Sequence, residues 1–296
     1  MFRKVFTFVV MAILLLSAVS IAQNSLDSRP LDIEKDPDIE LFISNWERSI
    51  PFNTHGNMTE RAIFSKLTSG DQLKPARKGE VLKFINRFSY AIIGEGDSTS
   101  PTTLKGEQEI LYINSGQGFI KTKNTTAELS KGIFVLVPAD CEFTITNTGG
   151  SLLTLYLICE PVPSGFRPND DILVKDENRM TLRDSGYLTV HWSHNGKNIF
   201  TVADGLGTLE IVNFLSADAM TIGQPHSHGE TIEEVWTVLE GERNLAFLGK
   251  EILWQYPGTA YKVPPTGYTP HSNINTTKEP VRFLYFARFR DHEVRK

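Results

Sequence analysis

Cysteine is scarce: Cys141 and Cys159 are the only two in 296 residues. A disulfide framework therefore cannot be the main source of stability, which must come from packed apolar cores. Both cysteines fall in apolar, strand-like stretches where a thiol serves as a small hydrophobe, so free thiols are expected over a bridge, although export would permit one. No block of lysine or arginine stands out, and the formal net charge is −5. That argues against nucleic acid and anionic membrane surfaces as main partners. The long apolar run of the chain, Val5 to Ile21, sits at the N-terminus behind Arg3 and Lys4 and ends in Ser20-Ile21-Ala22, with small residues where a signal peptidase reads. A cleaved leader, residues 1–22, is expected. The run is slightly short of the roughly 20 residues that an uncleaved anchor needs. No cysteine stands at the cleavage site, which sets aside a bacterial lipoprotein. The mature chain is expected to be exported, to a periplasm, the cell exterior or a secretory lumen.

With 40% hydrophobic residues the chain can pack cores and is not a disordered segment. Its length allows one large domain or two ordinary ones. Residues 23–74 read as an N-terminal arm over the first domain, with one short helix around Ile39, Leu41, Phe42 and Trp46 and another from Thr59 to Leu67, capped by Thr59. After Pro75, short runs rich in Val, Ile, Phe, Tyr and Thr alternate with Gly, Asn and Pro, as in an all-β sandwich or barrel. Pro161, Pro163, Ser164, Gly165 and Pro168 punctuate the chain and predict a linker over 166–185 between a domain at 75–165 and another at 186–296. His191-Trp192-Ser193-His194-Asn195-Gly196 reads as a hairpin closed by Asn-Gly, which would leave His191 and His194 on the surface.

The two halves repeat. Shifted by about 125 positions, Glu109 to Gly116 lies on Glu234 to Gly241, Gly132 to Pro138 lies on Gly258 to Pro264, and Phe143-x-x-x-Asn147 lies on His271-x-x-x-Asn275. The second half holds His226-Ser227-His228, then Glu233-Glu234, then His271. Residues two apart on a strand face one side, so His226 and His228 point together. A carboxylate on the next strand and a third imidazole across a barrel complete a set that can enclose one divalent ion and leave positions for water or substrate.

These residues resemble the two motifs of the cupin superfamily. Gly223, His226, His228, Glu234 and Gly241 match the first, and Gly258, Pro265, Gly267, His271 and Asn275 the second. Glu234 is taken as the ligand over Glu233 because its distance to Gly241 fits the motif and it aligns with Glu109. The resemblance implies an all-β chain of two jelly-roll barrels, a bicupin, behind a short, partly helical arm. It implies a metal site of His226, His228, Glu234 and His271, holding iron or manganese first, with zinc and nickel compatible. In the first half Pro101, Thr103 and Phe143 replace the histidines, so that barrel is expected to be metal-free.

Cupins host many activities. The leading expectation is a metal-dependent oxidoreductase of dioxygenase type acting on a small oxygen-rich molecule, with Glu234 also moving protons. A second is an isomerase or lyase for a sugar or keto acid, with Glu233 or Tyr261 as base. A third is a non-catalytic exported protein that binds a small molecule or sugar. Trp236, Tyr261, Phe283 and Tyr285 are strand aromatics that either line the pocket or fill the core. The expected partner is a small-molecule substrate, with no nucleic acid and no membrane after leader cleavage. Homo-oligomerisation is left open.

Overall fold

The computed structural model describes residues 36–184 and 194–289. The leader, His191 and His292 lie outside the described residues. Regular structure within them is strand, apart from single-turn 3₁₀ helices. Strand β1 (Ile43–Asn45) comes first. The first barrel is built from β2 (Pro51–Thr54), β3 (Met58–Ser65), β4 (Arg87–Ile93), β5 (Thr102–Thr103), β6 (Glu107–Ser115), β7 (Gln117–Thr122), β8 (Thr126–Ser130), β9 (Ile133–Val137), β10 (Glu142–Asn147), β11 (Leu153–Pro161) and β12 (Leu173–Asp176). The second is built from β13 (Arg183–Asp184), β14 (His194–Thr201), β15 (Ile211–Ala217), β16 (Thr221–Ile222), β17 (Glu233–Glu240), β18 (Asn244–Leu248), β19 (Glu251–Gln255), β20 (Thr259–Lys262), β21 (His271–Asn275) and β22 (Val281–Arg288).

Each barrel pairs a seven-stranded antiparallel sheet with a four-stranded one. The orders are β12-β9-β6-β11-β4-β3-β2 with β5-β10-β7-β8, and β1-β20-β17-β22-β15-β14-β13 with β16-β21-β18-β19. The repeat is thus a repeat of topology, strand for strand. The outermost strands come from outside it: β1 precedes the first barrel yet pairs with β20 of the second, and β12 pairs with β9 of the first. Each leads into a 3₁₀ turn that presses on a glycine. Trp46 packs where a Cβ on Gly258 would lie 2.4 Å from its Nε1, and Asn178 packs where a Cβ on Gly132 would lie 2.3 Å from its Nδ2. Both glycines also have positive φ, +86° and +93°, so no other residue fits there without strain.

Several expectations are corrected. Thr59 to Leu67 is not a helix, since Met58–Ser65 is strand β3, paired with β2 and β4. The arm does not lie over the first barrel. It supplies β2 and β3 to that barrel's sheet and β1 to the other barrel. Together with β12, which falls in the expected linker, β2 and β3 extend the first barrel beyond the stretch 75–165. Asn195-Gly196 is not a hairpin turn, because both residues pair within β14, with β13 on one side and β15 on the other. His194 is consequently buried, 1% exposed, rather than on the surface.

Three apolar clusters account for the burial pattern. One fills the first barrel around Leu111, Phe143 and Leu157, and one fills the second around Trp236, Phe283 and Val238. The third joins residues of both barrels, including Phe88, Tyr112, Phe134, Phe200 and Phe286. The Phe88 and Phe286 rings meet edge to face at 5.1 Å. The long strands are therefore buried on both faces, which explains why their sequences run apolar without alternation. At about 1.5–3 kcal/mol per fully buried large side chain, the shared cluster supplies most of the attraction. Two carboxylates fix its register. Glu160 accepts the backbone N–H groups of Gly207, Thr208 and Leu209, and Glu233 accepts those of Lys83, Phe84 and Ile85. Each carboxylate thus holds the segment leading into an interior strand of the other barrel's sheet, β15 for Glu160 and β4 for Glu233.

Candidate metal centre

The second barrel brings the expected ligands together. His226 and His271 exchange backbone hydrogen bonds, 3.2 Å and 2.8 Å, which pins two ligand segments face to face. Gly267 donates its backbone N–H to the His228 carbonyl, and Ser227 Oγ donates to the Gly267 carbonyl, so the loop before β21 is laced to the His-x-His segment. One donor atom from each of His226, His228 and His271 lies within 4.8 Å of the others. Glu234 sits beneath them on β17, with Oε2 2.9 Å from His228 Nε2 and Oε1 3.0 Å from His271 Nε2. His271 and Glu234 are 0% and 1% exposed, whereas the His228 side chain is 16% exposed, so the cluster opens on the side of the His-x-His segment.

Two residues that the sequence did not single out as partners hold the carboxylate. Trp236, two positions along β17 and therefore on the same face, donates its indole N–H to Glu234 Oε1 at 2.5 Å. Tyr285 on β22 donates its hydroxyl to Oε2 at 3.2 Å. Both are core residues, and so are Tyr261 and Phe283. Tyr261 donates its hydroxyl to Asn273 Oδ1, and burial together with the Glu234 charge keeps its pKa well above the ordinary value. Glu233, offered as an alternative base, faces the other way and is spent on the cross-barrel hydrogen bonds. The motif residue Asn275 is structural: its amide donates to the carbonyls of Ala217, Asp218 and Glu279, as Asn147 does to Ile93, Gly94 and Ser151. Gly223 is closely packed: a Cβ there would lie 3.1 Å from the ring of buried His194, which would have to give by a few tenths of an ångström.

Protonation states suit a cation. Burial, aided by the neighbouring His271, lowers the His226 pKa to about 4, so its ring is neutral near pH 7. Its Nδ1 donates to the Gln224 carbonyl at 3.0 Å. That hydrogen bond fixes the tautomer and leaves Nε2 with the lone pair, the usual arrangement of a metal-ligating histidine. Burial also depresses His271, with Glu234 opposing it. Burial acts to raise Glu234, but the adjacent imidazoles outweigh it and hold the carboxyl well below its usual range. Three imidazoles and one carboxylate form a donor set that fits a divalent ion. Protons compete with a metal for these lone pairs. Metal content after dialysis should therefore be highest near neutral pH and be lost on acidification, and a metal content that does not fall with pH would mean that imidazoles are not among the ligands.

Comparisons with known proteins agree with this architecture. No family model and no curated protein matches the chain. Solved structures do. The cupin 2 conserved barrel domain protein from Leptotrichia buccalis superposes with a TM-score of 0.54 at 14% identity, covering 86% of this chain and all of that one. The 7S globulin of Momordica charantia gives 0.61 at 11%, with 85% of each chain covered. The chain has the bicupin fold. The oxalate decarboxylase of Lactobacillus farciminis, in its formate complex, gives 0.59 at 9%, covering 84% of this chain and 86% of that one. Within the bicupin fold, the second barrel gathers three imidazoles and a carboxylate, and the first barrel has other residues at the positions of those imidazoles. There Pro101 and Thr103 are exposed, and Phe143 is buried where His271 stands in the other half.

Proposed function

We propose that this bicupin is an exported metal-dependent oxidoreductase of dioxygenase type. In this reading it binds one divalent ion, iron or manganese, through His226, His228, Glu234 and His271, and acts on a small oxygen-rich molecule. The observation that carries the reading is the gathering of three imidazoles, two of them against an ionised, doubly clamped carboxylate, at an open edge of the barrel. When bound, the ion supplies Lewis acidity and open positions for substrate oxygens or dioxygen. The chain's own contribution is positional. Trp236 and Tyr285 stop the Glu234 carboxylate from rotating, and Gln224 holds the His226 ring. Tyr261 keeps its proton, and Glu233 is committed elsewhere, so neither base of the isomerase reading is available at the site. The apolar leader supports a place of work outside the cytoplasm.

A second reading, a lyase for a small carboxylate, is favoured by the oxalate decarboxylase among the structural neighbours. One experiment separates the two. Metal-stripped chain is reloaded with Fe²⁺ or Mn²⁺ and incubated with catechols, 2-oxo acids and oxalate while dissolved oxygen and released CO₂ are followed. Oxygen uptake matched to substrate loss, and abolished in His271→Ala, is the expected result. CO₂ release without oxygen uptake would replace it with the lyase reading, and turnover of neither kind would leave a binding protein.

A further inference from the structure

Glu109, the one ligand-like residue left in the first barrel, has been given new surroundings. In the second barrel, Trp236 and Tyr285 face each other across β17 and β22 and clamp Glu234. At the equivalent positions of the first barrel stand Leu111 and Leu157, which donate nothing. Instead, Cys159 lies directly across the sheet from Glu109, where the second barrel has Ala287 opposite Glu234. The Cys159 Sγ is 3.6 Å from Glu109 Oε1. From the other side comes His55, whose Nε2 is 3.3 Å from Glu109 Oε2. Glu107 sits two residues along the same strand face, and donor atoms of Glu107, Glu109 and Cys159 all lie within 4.8 Å of one another.

His55 precedes the repeat. It sits in the tight β2–β3 turn with a left-handed backbone, φ 49°, and its carbonyl is fixed by the Ser100 N–H at 2.7 Å. A non-glycine residue in that conformation stores strain, which the turn maintains. The side chain so delivered is only 4% exposed, yet neither ring nitrogen nor Glu109 Oε2 has a hydrogen-bond partner of proper geometry. Buried polar atoms left in that state are costly and call for an explanation. Glu60, Glu107 and Glu109 cluster here around Arg87, which Glu60 already engages. The Cys159 and His55 contacts, made by different oxygens of the Glu109 carboxylate, are each close to a ligand–ligand edge of a small tetrahedral site. With metal–N and metal–O bonds of about 2.0–2.2 Å and metal–S of about 2.3 Å, the edges of a tetrahedron are about 3.4 Å for N–O and about 3.5 Å for S–O.

We propose that the first barrel carries a cation site of its own, in which His55, Glu109 and Cys159, with Glu107 at its edge, bind a thiophilic divalent ion of the zinc class. This revises the expectation of a metal-free first barrel. The thiol proton leaves as the ion enters, because the thiolate is the ligand. The two barrels would then hold different ions, a borderline-soft one at the thiolate and a harder one among imidazoles and carboxylate.

Cobalt(II) reads this site apart from the other, because only a thiolate ligand gives the intense near-ultraviolet sulfur-to-cobalt charge-transfer band and the second barrel's ligand set has no cysteine. Co²⁺ titrated into the metal-stripped full chain should produce that band in the wild type, in His228→Ala and in Cys141→Ser. It should be lost in Cys159→Ser and at least tenfold weaker in apparent affinity in His55→Ala. If Cys159→Ser does not fold, His55→Ala decides alone. Absence of the band in the wild type, its loss in Cys141→Ser, or its full retention in folded Cys159→Ser or His55→Ala would overturn the proposal.

Discussion

His271→Ala should leave the second barrel folded and nearly devoid of metal. His271 is fully buried, and its backbone, not its side chain, makes the hydrogen bonds that hold β21 against His226. Removing the imidazole therefore takes away a ligand and leaves the strand in place. A ligand lost from the first sphere is not replaced, whereas loosening an outer partner costs about 10–100-fold in affinity. Tyr285→Phe, which removes one donor to Glu234, should fall in that milder class. Equilibrium dialysis against Mn²⁺ should rank wild type above Tyr285→Phe, and Tyr285→Phe well above His271→Ala and Glu234→Gln. Equal affinities for Tyr285→Phe and His271→Ala would remove His271 from the first sphere.

Glu233→Ala should do the reverse, costing stability and sparing metal. Three backbone N–H groups, that of Ile85 buried, would lose their acceptor. The buried ammonium of Lys262, already lowered to about 8 by burial, would lose the carboxylate that opposes that shift. Leaving buried groups without a charged hydrogen-bond acceptor costs about 1–3 kcal/mol each, a sizeable share of the roughly 5–15 kcal/mol by which domains are stable. Denaturant unfolding should show that loss, with metal content per folded chain unchanged. Unaltered stability with lost metal would place Glu233 in the site.

The contrast between these adjacent glutamates shows how far the sequence could be read. Glu234 was recognisable because the motif spacing and the repeat converge on it, and strand alternation then turns Glu233 outward. Its use as a clasp on the other barrel was not visible, since the partners are backbone N–H groups about 150 positions away. Strand β3 read as a helix because a bulge between Ala62 and Phe64 breaks its alternation. Asn195-Gly196 carried a turn signal, but Gly196 is not among the residues with positive φ, and the pair continues a strand between two neighbours. For Trp236 and Tyr285 the sequence left core and pocket lining open, and they are core. Their polar tips became informative only once the fold placed them beside Glu234. His55 had no motif to mark it, because a turn preceding the repeat delivers it to Glu109.

The central claim is that one ion sits among His226, His228, Glu234 and His271. Anomalous diffraction from crystals of Mn²⁺-loaded protein tests it most directly. The account predicts a strong manganese peak bounded by three imidazole Nε2 atoms and the Glu234 carboxylate. Manganese bound at full stoichiometry with no peak among those four side chains would contradict it.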